Sequence, residues 1–527
     1  MPAISTKISL SSFTNGKLPF VVDHISISEA FDRHHTFELT ATLALKSGLS
    51  LEDTEKILGE CITIEFKEKD TVRHKFIGIT DNLVLFQQGD SRMVRIEGYS
   101  PTILLDSAPV FRAFLEKPIK QVVENILQKY KGKTFANANI KATQKVDFSV
   151  QPQETDYQYL CRLADRFESN FFYDGEQLHF CPLKNTGAQT VTLAMHKDLH
   201  HFRASVNLSP IKFSVKGYNH LTDKKEKVNY DLQKGENSLL KSAFNKSQIY
   251  PPAEISVNYV TKNKEELKAV AMQLATQQTN GMVSISGGSD VLTIKPGSIL
   301  AIKGGKNAVP GITKEDKFRV TQVVHSFSQS GGSYSNSFSA IPANNNLPVN
   351  MPGAQNKICA PLDAEVTDTA DPDHLGRVKV KFLADEEQSN SPWLRVLTTF
   401  TSASGHFFMP EVGEKVIVFF EDFNPEKSAF VMGSYFTKDK NANSWQDSNN
   451  RKKGISTGDI SLFFDENEGK LTLKAKSILL QTDEGISIEG GKEITQKATN
   501  IKSEADQDNI VKGGKGVKVK GGRIDLN

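Results

Sequence analysis

The sequence has little cysteine. Cys61, Cys161, Cys181 and Cys359 lie far apart, and no C-x-x-C pair occurs. That spacing indicates neither a disulfide framework nor a zinc cluster, and a reducing compartment is the expectation. Long apolar runs are missing too: none approaches the roughly 20 residues that a membrane helix needs. The amino-terminal stretch from Met1 to Phe20 is interrupted by Ser, Thr, Asn and Gly before an apolar core can form, so no signal peptide is expected. Charge of one sign is also absent. Lys and Arg number 64 against 62 Asp and Glu, a formal net charge of +2, which gives no global attraction to nucleic acid or an anionic membrane.

What is present suits a large, mainly globular chain. Its 527 residues are 38% hydrophobic and 24% charged, with 36 Gly and 20 Pro, which fits neither wholesale disorder nor a collagen-like repeat. At about 100–200 residues per domain, three or four domains are expected. Residues 1–110 read as short strands with period-2 alternation, such as Ile62 to Phe66 and Phe76 to Ile79. Ile119, Val122, Val123, Ile126 and Leu127 follow Pro118 at helical spacing and predict a helix over 118–130. Thr155 and Gln158 form a capping-box pattern that predicts a second helix over 156–168, leading into a strand pair joined at Asp174-Gly175. Leu267, Val270, Ala271 and Leu274 predict a third over 264–278. The rest of 200–345 reads as strands, including Val291 to Ile294 before a turn at Lys295-Pro296-Gly297. Turn formers from Ile341 to Gly353 predict a domain boundary. Five short strands within 358–437 suit a small Greek-key barrel of the OB type, and Lys438 to Lys453 reads as a linker.

The last block, 454–527, contains no Pro, Cys, His or Trp, and its only aromatics are Phe463 and Phe464. Apolar residues alternate in pairs: Leu471/Leu473, Ile478/Leu480, Ile486/Ile488, Val517/Val519 and Ile524/Leu526. Such strands lack the bulk to fill a core alone. Association of identical segments in a thin β-prism or β-helix solves this, and a homotrimer is the simplest closed arrangement.

No catalytic constellation survives inspection. Gly454-Ile455-Ser456-Thr457-Gly458 matches the nucleophile-elbow string, yet a Lys-rich linker precedes it, an alternating strand follows it, and the last His of the chain is His406. His196 and His200 stand four apart, but Lys197 occupies the position of a zincin's acid. His34 and His35 read as strand neighbours on opposite faces. Gly485 to Lys492 is mis-spaced for a phosphate loop, and Glu493 replaces its Ser/Thr. Lys512 to Arg523 carries five basic residues and no aromatic for stacking bases. The acidic cluster Asp363, Glu365, Asp368, Asp371 and Asp373 lacks aromatic sugar platforms and reads as a solvated entrance to the small barrel. No catalytic, cofactor-binding or metal residues are therefore expected.

Four strings in order carry a family resemblance: Asp373 to Phe382 (DHLGRVKVKF), Ser391 to Val396 (SPWLRV), Pro410 to Val418 (PEVGEKVIV) and Val431 to Ser434 (VMGS). Together they resemble the OB-fold region of VgrG, the valine-glycine repeat spike of type VI secretion, and of related phage tail spikes. Phe76 to Ile79, Gly98 to Pro101, Glu154 to Phe180 and Phe318 to Phe327 resemble the hub of these spikes, and Gly513 to Asn527 resembles the end of their trimeric β-helix.

The resemblance implies a mainly β chain with an α+β hub: a tandem β-barrel hub over 1–350, an OB-fold barrel over 351–437, a linker over 438–453 and a trimeric β-helix needle over 454–527. It implies a homotrimeric hub and spike of a contractile injection machine that caps an inner tube of hexameric rings, contacts baseplate proteins, carries effectors and punctures a target envelope. The membrane is met only transiently. By the same resemblance a PAAR-type tip protein docks on Gly521, Gly522, Arg523, Ile524, Asp525, Leu526 and Asn527. The phage spike's lysozyme domain is replaced here by the short linker, and no toxic domain is expected after Asn527, so a delivery device without catalysis is implied. It would assemble in the cytoplasm and be injected without a signal peptide. The alternatives are the spike of an extracellular contractile particle or phage-like tail, and a spike-borne cell-wall hydrolase.

Overall fold

The structure, a computed structural model, describes residues 4–525 apart from 14–17, 32, 44–50, 131–137, 168, 184–187, 220–221, 233–236, 261–263, 305–308, 310, 313–314, 344–358, 386–388, 402–405, 426 and 442–444. The chain forms two compact units, Met1–Lys438 and Asp439–Asn527. Most of the turn-rich stretch read as a domain boundary lies outside the described residues.

In the first unit, alternation in sequence becomes alternation in burial. Along the strand Cys61–Glu68, Ile62, Ile64 and Phe66 are fully buried and their neighbours are not. Such strands join one twelve-stranded sheet. Its main path runs Ile4–Leu10, Cys61–Glu68, Thr71–Gln88, Ser91–Tyr99, Thr36–Leu43, Phe20–Ala30, Glu315–Ser328, Ser333–Pro342, Val283–Ser289 and Leu199–Val206. Pairing of Phe20–Ala30 with Glu315–Ser328, with Ile27 opposite His325, ties the start of the hub to its end. Two cores lie along this sheet. Ile25, Leu39, Ile62, Phe66, Phe76 and Ile96 belong to one, and Leu199, Val215, Leu267, Val283 and Leu300 to the other. The long hairpin of residues 315–342 serves both, giving Phe327 and Tyr334 to the first and Phe318 and Phe338 to the second.

A third core is α+β. The helix Ile119–Gln128 buries the five apolar residues named from spacing. In the helix Asp156–Arg166, Gln158 N donates to Thr155 Oγ1 at 3.2 Å, and Thr155 N donates to Gln158 Oε1 at 3.4 Å, completing the capping box. The third helix is Lys264–Met282, with Leu267 and Ala271 fully buried.

Three readings of the sequence are corrected. Val291 to Ile294 is a turn, because Ser289 Oγ accepts from Val291 N at 3.1 Å and Asn336 Nδ2 donates to Val291 O at 2.9 Å. Side chains satisfy the Val291 peptide groups in place of a neighbouring strand. Ser238–Lys246, inside a stretch read as strands, is a helix capped by Asn237 Oδ1, which accepts from Leu239 N and Leu240 N. His34 and His35 lie in a loop, where His34 Nδ1 meets Thr102 Oγ1 at 2.8 Å and His35 Nε2 meets Ala30 O at 3.1 Å.

The small barrel closes through Leu362–Asp368, Arg377–Phe382, Leu394–Val396, Ala429–Ser434 and Lys415–Phe420. Its core of Val366, Val380, Phe382, Val418 and Val431 continues into Phe111, Ala113 and Val150 of the hub hairpin made by Val110–Pro118 and Lys145–Glu154. Phe111 packs on Phe382 with ring centroids 5.6 Å apart, and Asp385 Oδ1 accepts from Ala113 N at 3.2 Å. Hub and barrel therefore share buried apolar surface.

The second unit contains a three-stranded antiparallel sheet, Lys452–Thr457, Ile460–Asp465 and Lys470–Lys474. Trp445 covers Phe463, with ring centroids 5.2 Å apart. Among the described residues no strand follows Lys474.

Candidate functional site in the carboxy-terminal tail

The sequence pairs Ile478/Leu480, Ile486/Ile488 and Val517/Val519 find no partner strand within one chain. Among the described residues, no backbone hydrogen bond joins 475–525 to itself or to the rest of the chain. The backbone nevertheless has a regular course. It bends at Lys476, Asp483-Glu484, Gly491-Lys492, Thr499, Asp506-Gln507, Gly514-Lys515 and Gly522. Each bend is followed two or three residues later by an apolar side chain: Ile478, Ile486, Ile494, Ile501, Ile510, Val517 and Ile524, at intervals of 7–9 residues. These seven are 49–68% exposed.

Exposed apolar residues thus recur after every bend, several of them in pairs such as Ile486/Ile488 and Val517/Val519. The sequence reading found the period-2 pairs but not this longer recurrence. The signal was available in the spacing of the isoleucines and valines.

The residues named for tip docking lie at the end of this segment. Gly521 to Asp525 are exposed, and Arg523 Nε donates to Asp525 Oδ1 at 3.0 Å. Leu526 and Asn527 lie outside the described residues.

The enzyme-like strings are not assembled into sites. Ser456 is exposed on a strand and pairs with Ser461, with no helix after it. His196 sits in a turn at φ +64°, and His200 lies on the strand Leu199–Val206 with Nε2 3.9 Å from Asp290 Oδ2, so no helix face presents the two together.

The acidic cluster of the barrel is a lock. Asp371 Oδ2 accepts from Leu375 N at 2.9 Å, from Arg377 N at 3.2 Å and from Arg377 Nε at 3.0 Å, and Asp371 Oδ1 accepts from Arg377 Nη2 at 2.6 Å. Glu365 pairs with Lys415 and Asp368 with Lys379. The family-like string through Gly376-Arg377 thus closes the loop after the first barrel strand, with Gly376 at φ +66°. Likewise Gly413, at φ +84°, donates to Val366 O at 2.8 Å while Val366 N donates to Glu414 O at 2.9 Å.

The Arg377 hydrogen bonds hold the Asp371 carboxyl well below its ordinary value of 3.8. A carboxyl depressed by folding stabilises the fold above its ordinary value, and that stabilisation is lost as pH falls through the depressed one. Asp371→Asn is therefore expected to cost about 1.5–3 kcal/mol at pH 7, the range for hydrogen bonds to charged groups. Urea unfolding should show the gap to wild type closing as the solution is acidified below pH 4. An equal gap at acid and neutral pH would contradict the assignment.

The model of the family "Phage tail baseplate hub (GPD)" matches residues 28–331, and that of the "Type VI secretion system/phage-baseplate injector OB domain" matches residues 362–436. No curated protein matches the chain. Among solved structures it is similar to the E. coli c3393 protein, described as a component of the type VI secretion system with structural similarity to T4 bacteriophage tail proteins gp27 and gp5. The TM-score is 0.56 at 15% identity, over 81% of this chain and 100% of that one. It is also similar to the Francisella PdpA-VgrG complex in its lidded form (TM-score 0.55, 12% identity, 90% of this chain and 80% of that one) and its lidless form (0.53, 11%, 90% and 98%). At these identities the likeness concerns the fold. The family match covers more than half of the sequence, and with the hub, the closed barrel and the order of the two segments it leads to one conclusion: the chain belongs to the phage tail baseplate hub family, with a type VI secretion/phage-baseplate injector OB domain following the hub.

Proposed function

We propose that this hub and spike chain works as a homotrimer in a contractile injection machine of the type VI kind. Three copies of residues 454–527 would wind into a stiff needle, and the hub would cap the inner tube and meet the baseplate. The observation that carries the reading is the tail: a backbone bent every 7–8 residues, at least one exposed isoleucine or valine after each bend, and, among the described residues after Lys474, no backbone hydrogen bond within the chain. Three copies can bury one another's apolar residues on a common axis and pair one another's backbone groups, as buried peptide groups require. Three is the smallest number of chains that encloses such an axis.

In this reading the chain delivers and does not catalyse. It assembles in the cytoplasm, leaves the cell when a sheath contracts elsewhere in the machine, and crosses a target membrane only in passing. Among the described residues no helix is long and apolar enough to cross a membrane. Effectors ride on the needle or on a PAAR-type tip protein seated on residues 521–527, where three copies of one chain end multiply weak contacts.

The test is removal of residues 521–527. The shortened chain is expected to keep the assembly state of the full chain and to lose capture of a co-expressed PAAR-type tip protein. Capture at the full-length level would show that the tip binds elsewhere.

A further inference from the structure

The first core of the hub holds three polar side chains that the delivery function does not use. Glu29, His74 and His325 come from the strands Phe20–Ala30, Thr71–Gln88 and Glu315–Ser328, and their side chains are 0–2% exposed. His74 Nε2 lies 3.4 Å from Glu29 Oε1, and His325 Nε2 lies 3.6 Å from Glu29 Oε2. Both separations exceed the usual 2.7–3.2 Å of a hydrogen bond. All four of these atoms are buried without a hydrogen-bond partner.

We propose that Glu29, His74 and His325 form a buried site for a divalent transition metal ion, with a carboxylate oxygen of Glu29 and one nitrogen from each imidazole as donors. One donor atom from each of the three residues lies within 4.8 Å of the other two. Ligands at 2.0–2.2 Å around a tetrahedral ion stand about 3.4 Å apart, close to the two separations found here. Imidazole and carboxylate donors suit zinc or ferrous iron better than calcium or magnesium, whose shells are built of oxygen.

The surroundings close the site off from solvent. His325 Nδ1 is 2.6 Å from Tyr334 Oη, which also accepts from Asn336 Nδ2 at 3.1 Å, so the ring is held by a second layer of contacts. Phe66 packs against His74, His325 and Tyr334, with ring centroids 5.9, 6.2 and 5.5 Å away. Gly175 covers the carboxylate at φ +94°, where an added Cβ would come within 2.9 Å of Glu29 Oε1. An ion here would pin the amino-terminal strands to the long hairpin shared by both hub cores. The three residues stand far apart in the sequence, so spacing gave no hint of them and no metal was expected.

The test uses the full-length chain, stripped by a chelator, reloaded with zinc and passed through gel filtration, with cobalt as a spectroscopic probe. Elemental analysis is expected to find one zinc per chain. Bound cobalt should give the visible absorption of a low-symmetry site, and loading should raise the melting temperature. Glu29→Gln and His74→Asn are expected to weaken zinc binding at least tenfold. Tyr334→Phe, which leaves the ligands in place, checks the site if those variants fail to fold, and is expected to weaken binding severalfold. A wild-type chain that retains no zinc and melts at the same temperature with and without it would overturn the proposal and leave a buried Glu–His ion pair. Loss of the metal on His200→Gln would also overturn it, by placing the ion on the surface.

Discussion

Glu154→Ala is expected to lower the stability of the hub by about 3–5 kcal/mol, the cost of leaving one partner of a buried ion pair alone. Glu154 and Arg162 are almost wholly buried. Arg162 Nε donates to Glu154 Oε1 at 2.9 Å and to Oε2 at 3.2 Å, while Nη2 donates to Oε2 at 2.7 Å and to Val150 O at 2.6 Å. The pair fastens the helix Asp156–Arg166 to the strand Lys145–Glu154, and that strand supplies Val150 to the core shared with the small barrel. Arg112 and Gln151 extend the network, each donating to Asp156 Oδ1, at 2.5 and 2.9 Å. Urea unfolding of Glu154→Ala, Arg162→Met and the double variant measures the coupling. The double variant should recover most of the loss, because two apolar side chains leave no unpaired charge. Additive losses would mean that the two residues act independently.

The second large effect is expected in the tail. Ile486 and Ile488 are more than half exposed in one chain, and in the proposed needle three copies of each would meet on a dry axis. Ile486→Lys with Ile488→Lys would place six ammonium groups there, each costing several kcal/mol without a partner. The double variant is expected to remain folded in its hub and barrel, by circular dichroism, and to run as a single chain in gel filtration. An unchanged assembly would mean that this part of the tail does not join the copies.

Local rules explain which parts of the fold could be read in advance. The alternation of Ile62, Ile64 and Phe66, the helical spacing from Ile119 to Leu127 and the Thr155–Gln158 box all act over a few residues, and each keeps its meaning in the folded chain. The family-like strings were legible for a related reason: Asp371 with Gly376-Arg377, and Gly413-Glu414, are turns whose geometry needs those residue types. Pairing across the chain was not legible. Nothing local in Ile27 points to His325, or in Phe111 to Phe382. The run Val291 to Ile294 reads as a strand although Val291's backbone groups are satisfied by Ser289 and Asn336, which periodicity cannot see. In the tail the short pairs are local and legible, while the longer recurrence spans 7–9 residues and shows its meaning only beside the bends of the backbone.

Whether the tail unites three chains is decided by the solution mass of the purified full-length protein, measured by light scattering. A mass three times that of the 58.3 kDa chain is the predicted result. A stable monomer at concentrations well above the micromolar range would contradict it.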